Sequence, residues 1–122
     1  MTNTISTVLV LASLMMGEGA VLTDCGMKAV GHVALNRYEV GMDDYLGEGF
    51  YGWEQPDARA VRLACDVLTE PDFTQGALYA LSKDDVSNLN ARPGDLIYKK
   101  GTWEVHLFYT WPENSMAHRR RR

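Results

Sequence analysis

Cysteine is scarce. Cys25 and Cys65 are the only two in 122 residues, which excludes a disulfide scaffold and the paired-cysteine spacing of a zinc module. Histidine is nearly as sparse, and His32, His106 and His118 have no metal-ligand spacing, so a zinc amidase is disfavoured and no metal or other cofactor is expected. Basic residues are few outside the C-terminus. Four of the twelve form the run Arg119 to Arg122, and the formal charge of −4 becomes −8 once those four are set aside. A body this acidic gives no support to nucleic-acid binding.

Long apolar runs are missing too. The stretch STVLVLASLMMGEGA, ending at Ala20, falls short of the roughly 20 apolar residues needed to cross a bilayer. No Lys or Arg precedes it, so it lacks the charged segment of a secretory signal peptide, and a cut after Ala20 would remove Glu18. It is read as the first, buried helix of the mature domain. No Gly-rich phosphate loop follows a strand, which argues against a nucleotide enzyme. Internal repeats and low-complexity segments are absent as well.

What remains is an ordinary globular composition, 46% hydrophobic and 23% charged, in a length that suits one domain. The domain is expected over residues 1–112, with 113–122 as a disordered basic tail. Ile5, Val8, Leu9, Ala12, Met15 and Met16 recur at helical spacing after a possible cap at Asn3-Thr4. Gly17 and Gly19 flank Glu18 and mark the end of that helix. A second helix is predicted from Gly26 to about Tyr38 with Asp24 as its cap, carrying Met27, Val30, Val33, Ala34 and Arg37. A third is predicted from Asp57 to about Thr69, with Pro56 in its first turn and Ala60, Val61, Ala64, Cys65, Val67 and Leu68 on its inner face. Cys65 is there expected to act as a small buried hydrophobe, and a bridge to Cys25 is the minority reading.

Between these helices, residues 39–56 lose any period and are rich in Gly, acids and aromatics; such a segment either serves a site or plugs its aromatics onto the core. After Pro71 the period shortens. Residues 76–81, 95–99 and 103–110 read as strands, the last two joined at Lys100-Gly101, with loop between the first and second. Helices first and a small antiparallel sheet after them give an α+β class.

Glu18 within Gly17-Glu18-Gly19, then Gly26, Ala29-Val30, Val33 and Leu35-Asn36-Arg37, all in register without a gap, resemble the SleB-type cell-wall hydrolases of spore-cortex lysis and bacteriophages. Phe50 with Trp53 is similar to that family's aromatic loop. Gly76-Ala77-Leu78-Tyr79 is similar to its first strand, and His106 with Phe108-Tyr109 to its last. The likeness spans about residues 8 to 110. There are departures: Leu22 stands where the family usually has a second acid, Ala80 replaces a second Tyr, and Gly101 lies further from His106 than usual.

The resemblance implies a lysozyme-like domain that cleaves the glycan strand of peptidoglycan between N-acetylmuramic acid and N-acetylglucosamine, largely as a lytic transglycosylase. It implies Glu18 as the general acid, and Phe50, Trp53, Tyr79 and His106 along the substrate groove. An acid protonated near neutral pH needs an apolar setting, for which Met15, Met16, Leu22, Phe50 and Trp53 are candidates by type. A hydrolase would want a second carboxylate, and Asp43, Asp44 and Glu48 are of the right kind. A transglycosylase manages with one, so the lack of a clear partner acid favours it. Tyr79 either orients a sugar N-acetyl group or is a core aromatic with its hydroxyl at the rim. His106 serves either a structural hydrogen bond or catalysis, the former being favoured. Asn36 and Arg37 read as architectural, and His32 as a surface or packing residue. The competing reading is a non-catalytic peptidoglycan-binding or structural phage module that keeps the fold. With no signal peptide, access to the wall would come through a holin, a virion or cell lysis, as for an endolysin.

Overall fold

The computed structural model describes residues 4–42 and 55–112, with the side chains of residues 4–6, 18 and 19 outside that description. Asp43, Asp44, Glu48, Phe50, Trp53, His118 and the basic tail therefore all lie outside the described residues. The order of elements is α1 (Thr4–Gly19), α2 (Asp24–Glu39), α3 (Ala58–Thr69), β1 (Tyr79–Ser82), α4 (Lys83–Asn88), β2 (Leu96–Lys100) and β3 (Trp103–Phe108). This is the α+β arrangement expected, with N-terminal helices followed by a three-stranded antiparallel sheet of order β1-β3-β2.

α2 lies at the centre. Thr23 rather than Asp24 caps it, its hydroxyl accepting from Gly26 N–H at 3.1 Å, so the helix starts two residues earlier than the sequence suggests. Met27 and Ala34 face Leu11, Ala12, Leu14 and Met15 of α1 and Ala60, Leu63, Ala64 and Val67 of α3. Ala29, Val30 and Val33 face the sheet, where they meet Val105 and Leu107 of β3 along with Leu22 and Ala77. A helix apolar on both sides has to be enclosed, and α2 is.

Close approach is set by small residues. A Cβ on Gly31 would meet Met15 Sδ at 2.8 Å and Val67 Cγ2 at 3.0 Å, so α1 and α3 both press on this point of α2. α3 is capped by Asp57, which accepts from Ala60 N–H at 2.8 Å. Its buried stripe is Ala60, Leu63, Ala64 and Val67, at helical spacing. Cys65 falls one residue past that stripe and is exposed, not buried as expected from its type; Cys25 is exposed too, and both are free.

The sheet has two covered faces. Cross-strand pairing of Ser82 and Tyr98 with Val105 turns these three towards α2, whereas Leu81, Ile97 and His106 share the opposite face. The segment expected as loop between the first two strands contains α4, capped by Ser82 accepting from Asp85 N–H at 3.1 Å, and this helix packs on β1 and β3. Gly94 closes the same face. A Cβ there would lie 2.7 Å from His106 Cβ and 2.9 Å from its Cα, which leaves no room for any side chain.

The two glycines therefore differ in their tolerance. Gly31→Ala presses on the flexible end of Met15 and gains helix propensity of about 1 kcal/mol, so its stability should change little. Gly94→Ala presses on strand backbone and should lose about 1–3 kcal/mol. Urea denaturation of the two variants beside the wild type gives the comparison.

Candidate functional site

Glu18 lies in the last turn of α1, with its side chain outside the described residues. The chain just beyond it is well fixed. The turn from Ala20 to Thr23 is clasped by Arg59 from the first turn of α3, which donates to Ala20 O at 3.3 Å, Leu22 O at 2.8 Å and Asp24 Oδ1 at 2.8 Å. Arg62 adds a longer contact to Asp24. The hydrogen bond from Arg59 is the main reason the Asp24 carboxyl is held below its usual range. One guanidinium thus ties the end of α1, the start of α2 and the start of α3 together.

Of the residues suggested as an apolar setting for Glu18, Met15 is fully buried in the helical core and Leu22, 3% exposed, in the cluster under the sheet. Both side chains pack in the core. Exposed apolar surface at this end comes from Val21 in the turn and Trp103 at the start of β3. Tyr98 lies next to them but is half-buried, its Cβ 3.4 Å from where a Cβ on Gly26 would be and its ring against Phe73.

The other end of α2 carries the second set of residues. Asn36 donates to Asp72 Oδ2 at 2.8 Å and to Ala77 O at 3.1 Å, and Arg37 Nη1 donates to Leu78 O at 2.8 Å. Both residues are architectural, and they fasten the strand-entry segment rather than their own helix end. Arg37 also stands 5.2 Å from the centre of the Tyr79 ring, whose edge meets Trp111 at 5.4 Å between centroids. Tyr79 and Glu18 are at opposite ends of the 16-residue α2, which is about 24 Å long.

Asp72 is the hub of that end. Its Oδ1 accepts from Thr74 N–H at 2.7 Å and Thr74 Oγ1 at 2.6 Å, while Oδ2 accepts from Asn36 and from Gly76 N–H at 2.9 Å. Burial pushes its carboxyl upward, but the hydrogen bonds from Thr74, Asn36 and Gly76 together outweigh that, and the net direction is downward. His32, buried, sits with Nδ1 3.7 Å from Asp72 Oδ1 and its ring edge against Phe73. Burial is the main cause of its lowered pKa, partly opposed by Asp72.

His106 lies on the sheet face turned away from α2, the face that Tyr79 shares in the register. Gly94 N–H donates to Nδ1 at 3.0 Å, so that nitrogen holds its lone pair and the ring proton is on Nε2, facing Glu104 Oε2 at 3.1 Å. Both ring nitrogens are engaged in this arrangement, which is that of a structural hydrogen bond. The bond from His106 is the leading cause of a lowered Glu104 pKa, with Lys99 at 3.3 Å contributing. Glu18 is therefore a helix length from Tyr79, whereas the register puts Tyr79 and His106 on one face of the sheet, with Tyr79 opposite Phe108 and Leu81 opposite His106. Phe50 and Trp53 lie outside the described residues. Among the described residues no three His, Cys, Asp or Glu side chains gather as a metal site requires.

Sequence reasoning missed Asp72 and Arg59. The signal for Asp72 is Asp72-x-Thr74-x-Gly76, in which a short carboxylate closes a turn on its own chain and Gly76 supplies the positive φ of 82°. Comparison of the chain with family profiles, curated proteins and solved structures finds no match.

Because the folded Asp72 has a lowered pKa, its stabilisation is full above the ordinary carboxylate value and is lost as pH falls towards the folded one. Asp72→Asn should cost about 1–3 kcal/mol at pH 7, and the gap from wild type should narrow below about pH 4. Urea midpoints at pH 7 and pH 3 test both the size and the sign.

Proposed function

We propose that the chain is a lysozyme-like domain that cleaves the glycan strand of peptidoglycan between N-acetylmuramic acid and N-acetylglucosamine, with Glu18 as its acid and base. The observation that carries this reading is the union of two stretches through which the sequence resembles the SleB-type hydrolases. Leu35-Asn36-Arg37 and Gly76-Ala77-Leu78-Tyr79 are hydrogen-bonded to each other through Asn36 to Ala77 O and Arg37 to Leu78 O. Chance likeness in two separate stretches gives no reason for them to meet. The helix–turn–helix that carries Glu18, Gly26, Ala29-Val30 and Val33 is clasped at its turn by Arg59.

The chemistry needs one carboxyl group. Protonated Glu18 gives its proton to the glycosidic oxygen as the C1–O bond of the muramoyl residue breaks, and the N-acetylglucosamine leaves with a free 4-hydroxyl. The resulting carboxylate then takes the proton of the muramoyl 6-hydroxyl while that oxygen closes on C1, giving a 1,6-anhydro ring and restoring the acid. Leu22, the position at which the family usually has a second acid, is buried among Val30, Val33 and Val105, which suits a one-carboxylate route. Tyr79, at the far end of α2, and His106, on the far face of the sheet, then act on the architecture and not on the sugar that Glu18 protonates. The same loss of the second acid also favours a glycan-binding module without turnover as the second reading.

Digestion of purified peptidoglycan separates them. Wild type should release 1,6-anhydro-muropeptides detectable by mass spectrometry, and Glu18→Gln should lower the rate by roughly 10²–10⁴-fold. Reducing-end products lost in the variant would make the domain a hydrolase with a second carboxylate. No soluble product from either protein would overturn the enzyme reading in favour of the binding module.

A further inference from the structure

The β2–β3 hairpin runs on past the N-terminus of α2, and its face there is left uncovered among the described residues. The register pairs Trp103 with Lys100 and Val105 with Tyr98, so Trp103, Lys100 and Tyr98 share the α2 side of the sheet. Tyr98 abuts Gly26 in the first turn of α2, and Trp103, one cross-strand pair further along, is 58% exposed. The Glu18 end of the helix pair is this same end of α2. A large flat indole held on a paired strand loses little freedom on meeting a ligand, and tryptophan leaves water readily when it does. Of the charged residues on β2 and β3, Lys100 shares the face of Trp103, whereas Lys99 and Glu104 pair on the opposite face. Three of the four lysines, Lys83, Lys99 and Lys100, sit at this end of the sheet. Lys99 is paired with Glu104, Asp84 and Asp85 follow Lys83, and Lys100 has no ion pair among the described residues.

We infer that Trp103, with Tyr98 beside it and Lys100 opposite, forms a sugar-stacking subsite of the proposed glycan site. The apolar C–H face of an N-acetylated pyranose lies on the indole, and Lys100 meets a carboxylate of the attached peptide or lactyl group. The ligand is thus an acetamido-sugar strand bearing carboxylates, which fits both the ring and the charge. This subsite rests on the peptidoglycan reading of Glu18 and extends it to a surface that the matched residues do not include.

Binding of the slow-turnover Glu18→Gln protein to purified sacculi tests it. Adding Trp103→Ala should weaken retention about tenfold, and Trp103→Phe should recover most of it. Lys100→Gln should lower the dependence of binding on salt. Ile97→Ala removes an exposed apolar residue from the other face of the hairpin, on β2, and should leave retention unchanged. Equal retention of the Glu18→Gln protein with and without Trp103→Ala would overturn the subsite while leaving the cleavage reading to the digestion experiment. Absence of retention by the Glu18→Gln parent, with no soluble product from wild type, would remove both. Urea midpoints within error of the parent exclude unfolding as the cause of any loss.

Discussion

A helix covered on both sides leaves its neighbours little room, and α2 is covered by two helices on one side and a sheet on the other. Where α1 and α3 press closest the residue is Gly31, and where the sheet comes nearest the first turn it is Gly26. A side chain longer than alanine at Gly31 would have to displace Met15 and Val67, and at Gly26 a Cβ would press first on Leu22, at 3.1 Å. Tight contact lets one helix serve two clusters, with Met27 and Ala34 in the first and Ala29, Val30 and Val33 in the second. For a short chain this sharing is how enough apolar surface leaves water.

Each end of α2 is finished with polar contacts. At the N-terminal end, Arg59 satisfies two carbonyls and a carboxylate of the turn. At the C-terminal end, Asn36 and Arg37 reach carbonyls of the segment that leads into β1, and Asp72 accepts from Asn36, Thr74 and Gly76. Backbone groups in such irregular stretches lack ladder partners, so side chains must supply them. The result is that the residues flanking Glu18 and those flanking Tyr79 are each set firmly, about a helix length apart.

Much of this was legible in the sequence. The spacing of Val8, Ala12 and Met15, and of Ala60, Ala64 and Val67, marked two helices, and the shift to shorter runs after Pro71 marked the sheet. α4 was not legible, because Lys83 to Asn88 contains one apolar residue and its cap, Ser82, resembles loop chemistry. The exposure of Cys65 was missed because residue type spoke louder than its place one step off the stripe. Of the residues singled out for chemistry, Glu18 and the Asn36-Arg37 pair stand on elements foreseen correctly. The separation of Tyr79 and His106 from Glu18 follows from strand register and from which face α4 covers. Neither is written in local pattern, since a strand's two faces look alike until something packs on them.

The contacts made by Asn36 and Arg37 close a long stretch of chain, reaching partners 41 residues further on. The helix pair and the β2–β3 hairpin need only neighbouring residues and can form first, while this clasp must wait until both are in place. Interactions that form after the folding barrier hold the folded state by slowing its escape and leave the rate of its formation nearly untouched. A polar clasp at the end of α2 that closes after the folding barrier would act above all as a brake on unfolding.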